Sequence, residues 1–67
     1  MPIGKMTRDQ LEGNIAQSEQ HIVKQEAIIV KLIEQGHADS AAQARSVLVV
    51  MHDHLRIERE MLAGMRA

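Results

Sequence analysis

The chain has 67 residues, a formal net charge of −1 and no cysteine, which together exclude disulfides, thiolate metal sites and a strong field toward phosphate or an anionic membrane. It has no Phe, Trp or Tyr, so it lacks the rings on which single-stranded nucleic acid stacks and the aromatic anchors of many binding hot spots. No apolar run approaches the ~20 residues of a membrane span and the first residues lack the apolar region of a signal peptide, so we expect a single domain, 1–67, in the cytoplasm without a membrane partner.

The first predicted element is a helix over residues 8–35, preceded by a flexible tail over residues 1–6 that carries a proline and a glycine. Thr7 and Gln10 have the spacing of a capping box, in which each side chain binds the other residue's free amide. Asp9 lies in the first turn, where the helix dipole favours negative charge. These signals set the predicted start of the helix.

A heptad repeat runs along this helix from residue 11. Five of its eight positions are apolar, Ser18 and Gln25 are polar, and Gly36 ends the repeat. The apolar positions are Leu11, Ile15, Ile22, Ile29 and Leu32. The pattern predicts a coiled-coil-like seam with two polar interruptions.

The last part of the first helix, residues 27–33, is apolar nearly all round. A helix segment of this kind is buried on more than one side. Ile and Val also favour sheets, so a strand is the alternative for this segment. We favour a helix, because the flanking residues keep the helical period.

A short break, residues 36–40, separates the two helical patterns. Gly36 follows the last apolar residues and can take the left-handed conformation that often ends a helix. Ser40 and Gln43 have the spacing of a second capping box, with Asp39 as a rival cap one residue earlier. A connection this short favours antiparallel neighbours.

The second predicted helix covers residues 41–65 and has the stronger heptad pattern. Seven of its eight template positions are apolar, and only Glu58 fails. The apolar positions are Ala41, Ala44, Leu48, Met51, Leu55, Leu62 and Met65. A second stripe lies beside this seam and consists of Val47, Val50, His54, Ile57 and Met61. The apolar surface therefore spans roughly 150°, more than a hairpin seam needs.

We therefore predict an all-α fold: an antiparallel two-helix hairpin, coiled-coil-like, that dimerises into a four-helix bundle. Each hairpin has more apolar surface than its two helices can cover, and burying one such side chain stabilises by ~1.5–3 kcal/mol. The predicted interface between two copies consists of Ile28, Ile29, Leu32, Ile33, Val47, Val50, Met51, Ile57 and Met61. Another protein is a further candidate partner.

The four histidines are the first candidates for a metal site. His52 and His54 are two residues apart and point ~200° away from one another on a helix, so they cannot bind one ion. The hairpin brings His21 near His54. Bundle sites usually combine paired E-x-x-H motifs, whereas the single one here, Glu34 to His37, spans the predicted break. A metal-binding bundle is therefore the weaker alternative, and no metal ligand is predicted.

No catalytic arrangement stands out from the sequence. Ser18 and His21 are three residues apart, but no acid orients the histidine and no donors form an oxyanion hole. There is no glycine-rich phosphate loop, and a two-helix protein lacks a pocket of enzyme size. We predict a non-enzymatic protein without catalytic residues or cofactors.

The run Met51 to Leu55, MHDHL, and the hairpin layout resemble the plasmid repressor-of-primer family, dimeric helical hairpins that grip paired RNA loops. The RNA face of that family lies on the first helix and uses basic, amide and aromatic residues. Here the first helix carries three basic and five acidic residues, a net charge of −2, and no aromatic residue. The resemblance supports the fold. A small RNA-binding regulator of this type is the alternative function, although nucleic acid is not expected as a partner.

A second resemblance covers about residues 11–62. It is carried by His21-Ile22, Gln25, Ile28-Ile29, Leu32, Gly36-His37, Ala44-Arg45, Leu48 and Leu55. In this pattern the chain resembles a group of small uncharacterised hairpin proteins of alphaproteobacteria, although it lacks the Arg-rich spacing often found in their first helix. This resemblance implies the hairpin fold and no activity. We predict a non-enzymatic, self-associating interaction or adaptor protein.

Overall fold

The computed structural model describes residues 7–66, which form two helices joined by a three-residue turn: α1 (Arg8–Glu34) and α2 (Ala38–Arg66). No strand occurs among these residues, so the all-α prediction is confirmed and the strand alternative for residues 27–33 is wrong. The predicted tail over residues 1–6 lies outside the described part of the chain.

The start of α1 is capped as its sequence predicts. The Gln10 amide donates to the Thr7 hydroxyl at 3.2 Å, and the Thr7 amide donates to Gln10 Oε1 at 2.9 Å. These reciprocal bonds satisfy two amides that have no partner within the helix. The predicted capping box is confirmed.

Gly36 ends α1 through its left-handed backbone, with a φ of 78°. The helix stops at Glu34, one residue before its predicted end. The Gly36 amide donates to the Ile33 carbonyl at 3.0 Å, and the His37 amide donates to the Leu32 carbonyl at 2.8 Å. This pair of bonds is the Schellman motif, which satisfies the last carbonyls of the helix.

The second helix starts earlier than predicted. It begins at Ala38, so Ser40 lies in the first helical turn instead of capping it. The Ala41 amide donates to the His37 carbonyl at 2.9 Å, which is already a helical i to i−4 bond. The prediction of a turn over residues 36–40 is therefore wrong. The backbone bonds that end α1 complete the chain reversal by His37, so no longer loop is needed.

Contacts between the helices show that they run in opposite directions. Nearer the turn, Gln25 Nε2 donates to the Ala44 carbonyl at 3.0 Å. Further from the turn, Arg59 donates to Glu19 Oε2 at 2.9 Å. The position along α2 rises as the position along α1 falls, so the described residues form an antiparallel hairpin.

The two heptad seams form the core between the helices. Every described template position is buried or half-buried, except Gly36 in the turn and Met65 near the end of α2. The buried apolar residues are Leu11, Ile22, Ile29, Ala41 and Leu55. The seam prediction is confirmed, and it extends to Glu58, which is 6 % exposed although it breaks the apolar pattern.

The hairpin is thin, with principal extents of 49 × 26 × 15 Å. Two helices side by side make a layer only one helix deep, so the flanks of each helix stay open on both sides. Ten large apolar side chains among the described residues are consequently 42 to 68 % exposed.

Candidate interaction surface

One side of the hairpin collects five of these ten open side chains, and we call it the apolar face. On α2, its members follow one another at spacings of three and four, which places them in one stripe. On α1, His21 lines the same groove as His54, and Ile28 lies two helical turns after His21 on the same side. The apolar face consists of His21, Ile28, Val47, Val50, His54, Ile57 and Met61.

The apolar side chains of this face are open to water. Their exposed fractions run from 42 % at Ile57 to 67 % at Val50. The α2 stripe of this face contains no Lys, Arg, Asp or Glu, whereas on α1 the exposed Lys24 lies between His21 and Ile28. A contiguous exposed apolar surface of this kind is a candidate interaction surface.

A shallow groove of about 230 Å³ lies in the middle of the apolar face. Ser18 and His21 of α1 form one wall, and Val50, Met51 and His54 of α2 form the other. The structure therefore brings His21 and His54 into one groove, as the hairpin predicts. The groove has apolar walls and a small number of polar groups, the composition that suits ligand binding.

A buried carboxylate stands behind this groove. Glu58 is 6 % exposed and accepts a hydrogen bond of 2.7 Å from the Ser18 hydroxyl. His54 Nε2 lies 3.6 Å from the second Glu58 oxygen. A buried charge needs such partners, because removing it from water is costly. Ser18 and Glu58 look like separate defects in two heptad patterns. Only their alignment across the hairpin identifies them as partners.

Gln25, the second polar residue of the α1 seam, also forms a hydrogen bond across the hairpin. Gln25 is half-buried, and its amide nitrogen donates to the Ala44 carbonyl at 3.0 Å. Among the described residues, no buried side-chain nitrogen or oxygen lacks a hydrogen-bond partner. The two polar positions are therefore integrated parts of the seam.

A different side of the hairpin carries ion pairs, and we call it the charged face. Arg59 donates to Glu19 at 2.9 Å, which links the two helices directly. On α2, Arg56 donates to Asp53 at 2.6 Å and to Glu60 at 3.0 Å. The charged face consists of Glu19, Asp53, Arg56, Arg59 and Glu60.

The charged face satisfies its own charges. The hydrogen bond that Arg56 donates to Asp53, the charge of Asp53 and the same two effects of Glu60 raise the pKa of Arg56 above its ordinary value. The Arg56 guanidinium is therefore held between two carboxylates of its own helix. All of these contacts are within one chain.

His52, the first histidine of the run His52-Asp53-His54, lies on the side of the charged face. His52 lines a depression with Arg56 and Glu60, whereas His54 lines the groove of the apolar face. This agrees with the prediction that His52 and His54 cannot bind one ion. Within the described part of the chain, no three His, Asp or Glu side chains come close enough together to hold a metal ion.

The nine residues predicted for an interface between copies fall into different environments. Ile29 is only 7 % exposed, so it packs inside the hairpin and offers little surface to a second copy. Leu32 and Met51 are half-buried in the seam. Ile33 is 50 % exposed but lies ~140° around α1 from Ile28, away from the apolar face. The other five are exposed members of the apolar face: Ile28, Val47, Val50, Ile57 and Met61.

Three exposed valines do not belong to any predicted surface: Val23, Val30 and Val49. Val23 and Val30 are one heptad apart, so a search for repeats beside the seam could have found them. Val23 lines a depression with Glu19 and Lys24, outside the apolar face. Scattered apolar side chains of this kind are normal on protein surfaces.

Neither helix, over its described residues, has an apolar stretch long enough to cross a membrane. Comparison with known proteins identifies no relative, because no protein-family model, curated protein or solved structure matches the chain. Inference about function therefore rests on the geometry of the apolar face and its groove.

Proposed function

We propose that this protein is a non-enzymatic, self-associating interaction module whose first partner is a second copy of itself. Two hairpins pack through their apolar faces and form a four-helix bundle. The observation that carries the proposal is the open apolar face, whose α2 stripe contains no charged residue and whose apolar side chains stay exposed among the described residues.

The surface area of the chain supports a partner of this size. The chain exposes 5313 Å². A compact protein of 7.5 kDa exposes only ~4,200 Å², so the whole chain exposes roughly 1,100 Å² more than a compact monomer. A standard interface buries about 800 Å² on each partner. One interface of standard size would therefore remove most of the excess.

The chemistry of the face favours a second copy over a charged partner. The α2 stripe of the face offers no carboxylate, ammonium or guanidinium group to a charged peptide or to a phosphate backbone. Two identical apolar faces complement each other about a twofold axis, the commonest symmetry of small oligomers. Because α2 supplies most of the face, we expect α2 to pack against its symmetry mate.

Sedimentation equilibrium at micromolar concentration tests this proposal. We expect a mass twice the formula value of 7.5 kDa. Val50→Glu places two carboxylates in the apolar interface, so it should weaken association by ~100-fold or more. Val49→Glu is the matched control, because Val49 is 68 % and Val50 is 67 % exposed, while Val49 lies outside the apolar face.

Two results would contradict self-association. The first is a wild-type chain that sediments as a monomer, which would leave the face to a different protein. The second is a Val49→Glu variant that dissociates as readily as Val50→Glu, which would place the contact on another surface.

The RNA-binding alternative has no specific observation in its favour. The first helix has three basic and five acidic residues, and its charges do not form a basic stripe. A salt-dependent shift of RNA by the wild-type chain, lost on changing Lys24 and Lys31, would reverse this judgement.

A further inference from the structure

We propose that the interface between two copies holds a transition-metal ion of the zinc class, bound by His21 and His54 of both chains. This inference rests on the proposed self-association. The proposed ligand of the groove on the apolar face is a divalent metal ion, which the imidazole nitrogens would bind.

The two histidines are the polar centre of an otherwise apolar surface. They come from different helices and line one groove together with Ser18, Val50 and Met51. Both imidazoles are exposed in the single hairpin, and the His54 side chain is 67 % exposed. A second copy that covers this groove would remove both imidazoles from water. Covered nitrogen atoms need new partners, because burying a polar group without one is costly.

His21 and His54 both lie near the middle of their helices. In a symmetric dimer we therefore expect the same two histidines of the second copy to lie next to them. His21 stands at the midpoint of α1, thirteen residues from Arg8 and thirteen from Glu34. His54 lies near the middle of α2, with Val47 and Val50 on the side of the turn and Ile57 and Met61 beyond it. A twofold axis through the middle of a surface brings each central residue next to its own copy. Four imidazoles then meet at the centre of the bundle.

Four imidazoles match the usual coordination number of zinc, which binds histidine nitrogen and is most often tetrahedral. A single chain does not provide this set, since its described residues contain no group of three potential ligands. The site is therefore incomplete in one hairpin and complete only in the pair. This property would make the metal a switch of association as well as a ligand.

Glu58 is placed to support one of the ligands. Its carboxylate is fixed by the 2.7 Å hydrogen bond from Ser18 and lies 3.6 Å from His54 Nε2. Histidines that bind metal commonly direct their second ring nitrogen toward a carboxylate, which orients the ring and raises its basicity. With Nε2 turned toward Glu58, His54 keeps Nδ1 as its metal-binding atom.

Titration of the metal-free protein with zinc chloride, followed by calorimetry and by sedimentation equilibrium, tests the inference. We expect one zinc ion per two chains and a tighter dimer when zinc is present. His21→Ala and His54→Ala should each weaken zinc binding by more than the ~10–100-fold that loss of an outer partner costs, and Glu58→Gln by about that amount. Magnesium should not bind, because it prefers oxygen ligands.

The chain supplies two matched controls. His52→Ala and His37→Ala also remove one imidazole each, but His52 lies beside the charged face and His37 lies in the turn. Both variants should bind zinc as the wild type does. Circular dichroism of every variant separates loss of a ligand from loss of the helices.

The outcomes distinguish this inference from the proposed function. A metal-free dimer that binds no zinc, or that binds it equally well in His21→Ala and His54→Ala, overturns the metal site and leaves self-association standing. A monomer that does not respond to zinc overturns both. A monomer that becomes a dimer only with zinc supports the site and shows that the apolar face alone is insufficient.

Discussion

The apolar face and the charged face belong to the same two helices, and they differ in what the chain supplies to them. On the charged face, Arg59 reaches Glu19 across the hairpin and Arg56 contacts two carboxylates of its own helix. On the apolar face, side chains such as Val50 are largely exposed to water. One surface pairs its charges within the chain, whereas the apolar side chains of the other stay exposed among the described residues.

Two adjacent residues show why exposure alone does not identify a binding surface. Val49 and Val50 are 68 % and 67 % exposed, so their contact with water is almost the same. Val50 continues a stripe with Val47 and Ile57, whereas Val49 lies outside that stripe. The lesson is that neighbouring side chains, rather than the exposure of one residue, define a candidate interface.

The seam beneath both faces should give the largest effect on stability. Leu55→Ala removes a side chain that is 6 % exposed, so we expect the free energy of unfolding to fall by ~2–5 kcal/mol in urea denaturation at fixed protein concentration. Met65→Ala is the control, because Met65 belongs to the same template but is 43 % exposed. Equal losses in the two variants would show that the seam is not the common support of both faces.

The buried pair behind the groove should give the next largest effect. Ser18→Ala leaves the Glu58 carboxylate buried without its 2.7 Å hydrogen bond, so we expect a loss of ~1–3 kcal/mol. Adding Glu58→Leu should restore stability, because an apolar pair needs no partner. The control is Ser46→Ala, which removes an exposed hydroxyl bonded to the Ala42 carbonyl. A double variant less stable than Ser18→Ala would contradict this account.

The turn joins the two helices and belongs to neither face. A substitution there should change the free energy of unfolding by less than the substitutions above. Gly36→Ala forces a side chain into the left-handed region at a φ of 78° and should cost ~1–2 kcal/mol. Gly13→Ala should instead stabilise by ~1 kcal/mol, since alanine favours a helix. At either position a built Cβ meets no atom within 4 Å beyond its chain neighbours and the adjacent backbone of its own helix, so crowding does not account for the difference. Thermal melts that shift in the same direction would contradict the prediction.

The charged face should give the smallest effect. Arg59→Ala breaks an exposed ion pair with Glu19, and such pairs contribute only ~0–1 kcal/mol. We expect the difference from wild type to shrink further as salt is added, because salt screens exposed charges. The sedimentation mass should not change. If Arg59→Ala disturbs association more than Val50→Glu does, the contrast between the two faces is lost.

Local signals in the sequence were sufficient to predict the helices and their seam. Thr7 and Gln10 cap α1 as their spacing indicates, and Gly36 ends it in the left-handed conformation. The heptad positions from Leu11 to Leu62 line the interior, apart from the glycine in the turn. These features could be predicted because caps and helical periodicity depend on residues within a few positions of one another.

Other features depend on which residues meet across the hairpin. The start of α2 at Ala38 precedes the predicted one, because the backbone bonds that end α1 reverse the chain by His37 and the helical bonds of α2 begin there. The interface list included Ile29, which the opposite helix covers. One-dimensional periodicity cannot assign such a residue to the inside of one hairpin or to a contact between two.

Polar residues in the seam show the same limit most clearly. In the heptad pattern of its own helix, each of Ser18 and Glu58 is a polar residue at an apolar position. Across the hairpin the two side chains form a hydrogen bond. His21 and His54 likewise line one groove only when the two helices are packed side by side. Sequence patterns specify the direction in which a side chain leaves its own helix. The partner it meets is set by the register of the two helices, and that register emerges only when the chain folds.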